Sequence, residues 1–92
     1  MNQWTNEPMN QVEIYSKKLC IYCLRAKFLF KRMDVTYQEI DVTYDSEKLS
    51  EMHNRSKRQT VPQIFINGQH IGGSDDLAKA KRSGELDRYL QI

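Results

Sequence analysis

Apolar and polar positions alternate through Val12-Glu13-Ile14-Tyr15, the period of a half-buried strand built from β-branched and aromatic side chains. The period then changes. From Ile21 onward Cys23, Ala26, Phe30 and Met33 recur at steps of three and four, with Arg25, Lys27, Lys31 and Arg32 between them. This pattern predicts an amphipathic helix that ends at Asp34, with Phe30 inside and Phe28 outside. Thr36 to Val42, rich in Thr, Val, Ile and Tyr, predicts a second strand, and Asp45 or Ser46 can cap a helix running through Leu49, Met52 and His53. Thr60-Val61-Pro62 punctuates the chain before Gln63-Ile64-Phe65-Ile66, a strand. Asn67-Gly68 is the signature of a type I′ hairpin turn, with Gln69-His70-Ile71 as the return strand. Gly72-Gly73 breaks that strand, Ser74 or Asp75 can cap, and a helix begins at Leu77 that Ser83-Gly84 interrupts before Leu86 to Leu90.

The order β-α-β-α-β-β-α predicts an α/β fold. A β-α-β crossover makes its two strands parallel and a hairpin makes the last two antiparallel, which gives a four-stranded mixed sheet with helices on both faces. Open sheets of this kind carry ligands beyond the carboxyl ends of their strands, and the loop Ser16 to Cys20 is placed there.

Composition narrows the field. With 92 residues, 39% hydrophobic and 28% charged, there is core enough for one domain and not for two. Residues 11–92 are that domain; residues 1–10, which hold Trp4 and Pro8 with little periodicity, read as a flexible extension without function. A formal charge of +2 with interspersed signs is far from the clustered basic charge of a nucleic-acid binder. No stretch approaches a membrane span, and Met1 to Asn10 lacks the cationic start and apolar middle of a secretory signal, so a cytoplasmic chain with no membrane partner is expected.

Two cysteines, Cys20 and Cys23, stand at the strand-to-helix junction. They are too few for a disulfide scaffold or for a four-ligand zinc site in one chain. At the start of a helix, unpaired N–H groups and the positive helix pole stabilise a thiolate. Cys20 is therefore expected to be the exposed nucleophile, helped by Lys17 and Lys18. Cys23, on the core-facing row, is the expected resolving thiol, and a reversible Cys20–Cys23 disulfide is the product. Two structural cysteines, or half a zinc site completed by His53, His70 or a second chain, are the alternatives. Two further segments stand out. Pro62 opens a strand, and with a cis Val61–Pro62 bond the Val61 backbone would be free to pair with an extended thiol peptide. In Gly72-Gly73-Ser74-Asp75-Asp76 a glycine turn leads into a helix start that can present N–H groups to a carboxylate, with an Asp for an ammonium; a plain capped helix is the alternative.

Together Val12 to Lys17, Cys20-Ile21-Tyr22-Cys23, Thr60 to Ile66 and Gly72 to Leu77 resemble a dithiol glutaredoxin of bacterial type, within the thioredoxin-like superfamily. The resemblance spans essentially everything after Asn10. It implies a glutathione-dependent thiol–disulfide oxidoreductase, an enzyme of electron transfer and redox homeostasis that reduces protein disulfides and glutathione mixed disulfides. Cys20 would attack and Cys23 would resolve. Lys17, with Arg58 or Gln59, would hold the glycine carboxylate of glutathione, and Tyr22 would flank its sulfur. Thr60 and Val61 would pair with its backbone beside cis Pro62. Ser74 and Asp75 would take the γ-glutamyl carboxylate, and Asp76 its ammonium. A monomer acting on disulfide or glutathionylated proteins, such as ribonucleotide reductase, is implied.

Three positions depart from the family pattern. Ile21 replaces the proline usual after the first cysteine, Lys57 stands where glycine is common, and Ser74 stands where a third cysteine is frequent. Relatives without that proline can hold a glutathione-ligated [2Fe–2S] cluster between two chains, which makes a cluster-binding module the second hypothesis; no metal site within one chain is expected. A redoxin without a glutathione site, reduced by a thioredoxin-reductase-like partner, is the third, and Lys17, Asp75 and Asp76 argue against it.

Overall fold

The computed structural model describes residues 10–91. The expected N-terminal extension, Asn10 apart, lies outside the described residues, as does Trp4.

Strand β1 (Val12–Ser16) leads into helix α1 (Ile21–Arg32), β2 (Gln38–Asp41), α2 (Ser46–Ser56), β3 (Gln63–Ile66), β4 (Gln69–Gly72), α3 (Ser74–Ser83) and α4 (Glu85–Leu90). The sheet order is β2-β1-β3-β4. β1 runs parallel to β2 and antiparallel to β3, and β3 runs antiparallel to β4. This is a four-stranded mixed sheet of thioredoxin-like α/β type. The second strand is shorter than its sequence suggests, because Thr36 and Tyr37 lie outside the parallel register with β1.

Alternation along the strands sorts the core into two layers. Val12, Ile14, Ile64 and Ile66 pack with Ala26 and Phe30 of α1, Leu77 and Ala80 of α3, and Leu86 and Leu90 of α4. On the other face Tyr15 and Phe65 pack with Val42 and with Met52 of α2. Central β3 is buried along its whole length. Phe30 is fully buried, and truncating such a ring costs about 3–5 kcal/mol. Phe28, two residues earlier, is exposed as the helical period requires.

Turn chemistry fixes the joints. Asn67 and Gly68 have φ of 52° and 83°, the left-handed pair a type I′ turn needs. Asp45 caps α2 by accepting from the Lys48 N–H at 3.0 Å. The C-terminal helix is divided in two at Gly84, whose φ of 88° ends α3. Neither Ser74 nor Asp75 caps α3. Gly73 is the N-cap residue, and since it has no side chain the Asp76 carboxylate reaches back to accept from the Gly73 N–H at 2.9 Å. No helix of the described residues is long and apolar enough to cross a membrane.

Candidate active site

The two cysteines occupy different environments. Cys20 is the N-cap of α1 with extended backbone, half-exposed, and its Sγ accepts the Cys23 N–H at 3.2 Å. No acidic residue sits in the first turn, so nothing offsets the positive pole of the helix at this sulfur. Cys23 faces the core at 1% exposure. Burial, then the hydrogen bond with Cys20, push its thiol up to about 12, against an opposing pull from the Lys17 backbone N–H. One sulfur is presented to solvent at a helix terminus and the other is kept protonated one turn behind it. This is the asymmetry a nucleophilic and a resolving thiol require.

The approach to Cys20 is shaped by a tight loop. Leu19 adopts φ of 56° and is fully exposed, and the preceding Lys18 N–H is held by Thr43 Oγ1 at 2.8 Å. Lys17 is exposed and makes no ion pair among the described residues, whereas Lys18 pairs with Asp41 at 3.6 Å. Tyr22 is half-exposed, with the Arg25 guanidinium 5.7 Å from its ring centroid.

Both distant segments arrive at this loop. The Val61–Pro62 peptide is cis, and the Val61 carbonyl oxygen lies 4.0 Å from Cys20 Sγ. Thr60 and Gln59 are exposed beside it and Pro62 is buried. Gly73 backs onto this segment: a Cβ there would stand 3.4 Å from the Pro62 carbonyl oxygen. Ser74 is half-buried and Asp75 exposed in the first turn of α3. Arg58 and Asp76, assigned by the resemblance to opposite ends of a ligand, are joined at 2.8 Å. The Arg58 guanidinium, with the Gly73 N–H, holds the Asp76 carboxyl below the usual carboxylate range.

Among the described residues, no three His, Cys, Asp or Glu side chains gather as metal ligands. His70 lies against Phe65 and His53 is half-buried on α2. Sequence reasoning missed Gln63. It is a fully buried amide in an otherwise apolar strand, bonded to Thr60 and to His70. A polar residue inside the run Gln63 to Ile66 was the available signal.

Comparison with known proteins agrees with this arrangement. The glutaredoxin family model matches residues 12–71. Glutaredoxin 3 of Escherichia coli K12 is 49% identical over 83 residues, covering 90% of this chain and 100% of that protein. A glutaredoxin of Pseudomonas aeruginosa is 43% identical over 82 residues, 89% of this chain and 98% of that one. Among solved structures, the buckwheat glutaredoxin–glutathione complex superposes with a TM-score of 0.81 at 33% identity, covering 91% of this chain and 79% of that chain. The Brucella melitensis glutaredoxin superposes with a TM-score of 0.79 at 44% identity, covering 92% of each.

Proposed function

The chain belongs to the glutaredoxin family and acts as a thiol–disulfide oxidoreductase, and we propose that within this role its reductant is glutathione and its substrates are glutathione mixed disulfides and protein disulfides. One observation carries the reading: Cys20 Sγ, capped by the Cys23 N–H, stands 4.0 Å from the Val61 carbonyl, so sulfur and backbone rim are presented together. The similarity to a glutaredoxin solved with glutathione supports the choice of ligand.

In the first half-reaction the Cys20 thiolate attacks the glutathione sulfur of a mixed disulfide. The S–S bond breaks, the client thiolate departs and takes a proton, and Cys20 carries glutathione. A second glutathione thiolate then attacks that sulfur, releasing glutathione disulfide and restoring Cys20. With a protein disulfide, Cys20 forms the mixed disulfide, and Cys23 loses its proton and attacks Cys20 Sγ. The client leaves as a dithiol, and two glutathiones reduce the Cys20–Cys23 bond. The high pKa of Cys23 fits this order, because a buried, protonated thiol does not compete with Cys20 for the first attack.

For recognition, Lys17, with Arg58 or Gln59, takes the glycine carboxylate, Tyr22 flanks the cysteinyl sulfur, and Thr60 and Val61 pair with the tripeptide backbone. Ser74 and Asp75 at the N-terminus of α3 take the γ-glutamyl carboxylate, and Asp76 its ammonium. The test is turnover of a glutathionylated peptide with glutathione, its reductase and NADPH. Wild type and Cys23→Ser should turn over while Cys20→Ser is dead. A wild type inactive there, yet active with a thioredoxin reductase, would replace this reading with that of a redoxin.

A further inference from the structure

Behind the backbone rim that faces Cys20 runs a chain of hydrogen bonds that thiol chemistry does not itself use. Gln63, at the start of β3, has no solvent exposure. Its Nε2 donates to the Thr60 carbonyl at 3.0 Å and lies 3.2 Å from Thr60 Oγ1. Its Oε1 lies 2.7 Å from His70 Nε2. The Thr60 carbonyl can only accept, so the amide nitrogen must face it and the amide oxygen must face His70. An amide oxygen also only accepts, so His70 carries its proton on Nε2. The ring is fixed in turn by packing on Phe65, centroid to centroid 5.0 Å.

The segment held by this chain has no other regular support. Between the end of α2 and the start of β3 the chain is neither helix nor strand, and Lys57 to Thr60 are exposed. Ser56 Oγ fastens one end, accepting from the Arg58 N–H at 3.0 Å while its own proton goes to the Met52 carbonyl of α2 at 2.7 Å. Gln63 fastens the other at Thr60, one residue before the carbonyl that overlooks Cys20. A buried amide left without its partner is expensive, so the state with all three bonds made is strongly preferred over one with a loose rim.

We infer that Gln63 and His70 are positioning residues for the thiol site: they fix the Thr60–Val61 rim in advance, so that an extended peptide bearing sulfur meets a rigid backbone edge beside Cys20. The inference rests on the glutathione reading for the identity of that peptide. A preset rim removes an ordering cost from binding and leaves the sulfur itself untouched. Loss of the chain should therefore weaken substrate capture more than it changes the thiol.

His70→Phe keeps the ring on Phe65 and deletes the donor, and His70→Gln restores a donor of similar reach. In the glutathionylated-peptide assay, His70→Phe should raise KM by about five- to tenfold, what one average hydrogen bond is worth, with kcat changed less. His70→Gln should recover most of the loss, and alkylation of Cys20 by iodoacetamide should stay within about twofold of wild type in both. If wild type does not turn over the peptide, the glutathione reading falls and takes this inference with it. If wild type turns over and His70→Phe keeps its KM, or Cys20 alkylation slows in step with turnover, the inference alone falls. Should His70→Phe not fold, nitrogen-15 NMR of the wild type decides: an Nε2–H tautomer of His70 near neutral pH supports the chain, and an Nδ1–H tautomer overturns it.

Discussion

Gly72 lies directly beneath the Asp76 carboxylate: a Cβ on Gly72 would stand 2.6 Å from Asp76 Cγ and 2.8 Å from Asp76 Cβ. Gly72 also has φ of 126°, a region side chains rarely enter. The empty space at Gly72 is what lets Asp76 fold back onto the Gly73 N–H and meet Arg58. Gly72→Ala should therefore cost roughly 1–3 kcal/mol through backbone strain, with the displaced cap in addition. A domain of this size loses about 4–8 °C in Tm per kcal/mol, so calorimetry should show a drop of at least that order. An unchanged Tm would mean both that Asp76 moves aside and that the backbone at residue 72 relaxes out of its φ of 126° without cost.

Asp76 itself offers a pH test with a definite sign. Its carboxyl is held low by Arg58 first and by the Gly73 N–H second. A carboxylate with a depressed folded-state pKa contributes stability above its ordinary value, near pH 4, and loses it as pH falls through the lowered one. Asp76→Asn keeps an acceptor for the Gly73 N–H and removes only the charge. The Tm gap between wild type and Asp76→Asn should be present at pH 7 and close as pH falls below about 4. A gap that is the same at both ends would show that the cap, and not the charge, is what the substitution disturbs.

Labelling should separate the two cysteines. Burial is the main cause of the high Cys23 pKa, so the thiol should stay unreactive even without its neighbour. Iodoacetamide at pH 7.5 should modify Cys20 alone in the native protein and leave folded Cys20→Ser unlabelled, with Cys23 labelled only after unfolding. The same shift has a consequence for stability: the contribution is full below the ordinary thiol value and is lost as pH rises above it, because the unfolded chain ionises first. Mass spectrometry finding Cys23 alkylated in the folded state would contradict its burial.

Much of this was legible in the chain because period and punctuation agree. The alternation at Val12 to Tyr15, the three-and-four spacing of Cys23, Ala26 and Phe30, and Asn67-Gly68 each point to the element that forms. The site's outline was legible for a related reason: Cys20 and Gly72 to Asp76 each mark the step from a strand to a helix, Thr60-Val61-Pro62 marks the start of β3, and because β3 runs antiparallel to β1 the sheet order brings those ends together. Side-chain partnerships between elements were not legible. That Arg58 would meet Asp76, or Gln63 join Thr60 to His70, depends on β3 lying between β1 and β4, and on a bulge that sets Ile64 opposite Gly72 but Phe65 opposite His70. The capping of α3 was misassigned because Ser74 is a good capping residue by type, whereas Gly73 turns one residue earlier and Asp76 supplies the acceptor.

Lys57 departs from the family's common glycine, and the structure shows the cost. It ends α2 in the left-handed region at φ of 61°, donating its N–H to the His53 carbonyl at 2.8 Å. A side chain there costs about 1–2 kcal/mol, while glycine gives back roughly 0.5–1 in unfolded-chain entropy. Lys57→Gly should leave α2 intact and raise Tm by a few degrees. A fall in Tm would mean that the lysine side chain contributes more at the surface than its backbone costs.

Ile21 is the departure nearest the chemistry, and the backbone on both sides would accept the family's proline. It is the first residue of α1, where the fixed φ of proline fits and its missing N–H is no loss. The residue ahead, Cys20, already has ψ of 111°, close to the extended conformation that a following proline imposes. The sulfur's own hydrogen bond comes from Cys23 and not from Ile21, and the Ile21 side chain is exposed, so neither a bond nor core packing is removed. Ile21→Pro should therefore fold with α1 unchanged and gain about 0.4–1 kcal/mol by restricting the unfolded chain. Denaturant unfolding should show a higher midpoint at an unchanged slope. A lower midpoint would mean that the loop from Lys17 to Cys20 depends on the freedom that isoleucine leaves it, and that the exposed Leu19 turn is held less firmly than its bond from Lys18 to Thr43 indicates.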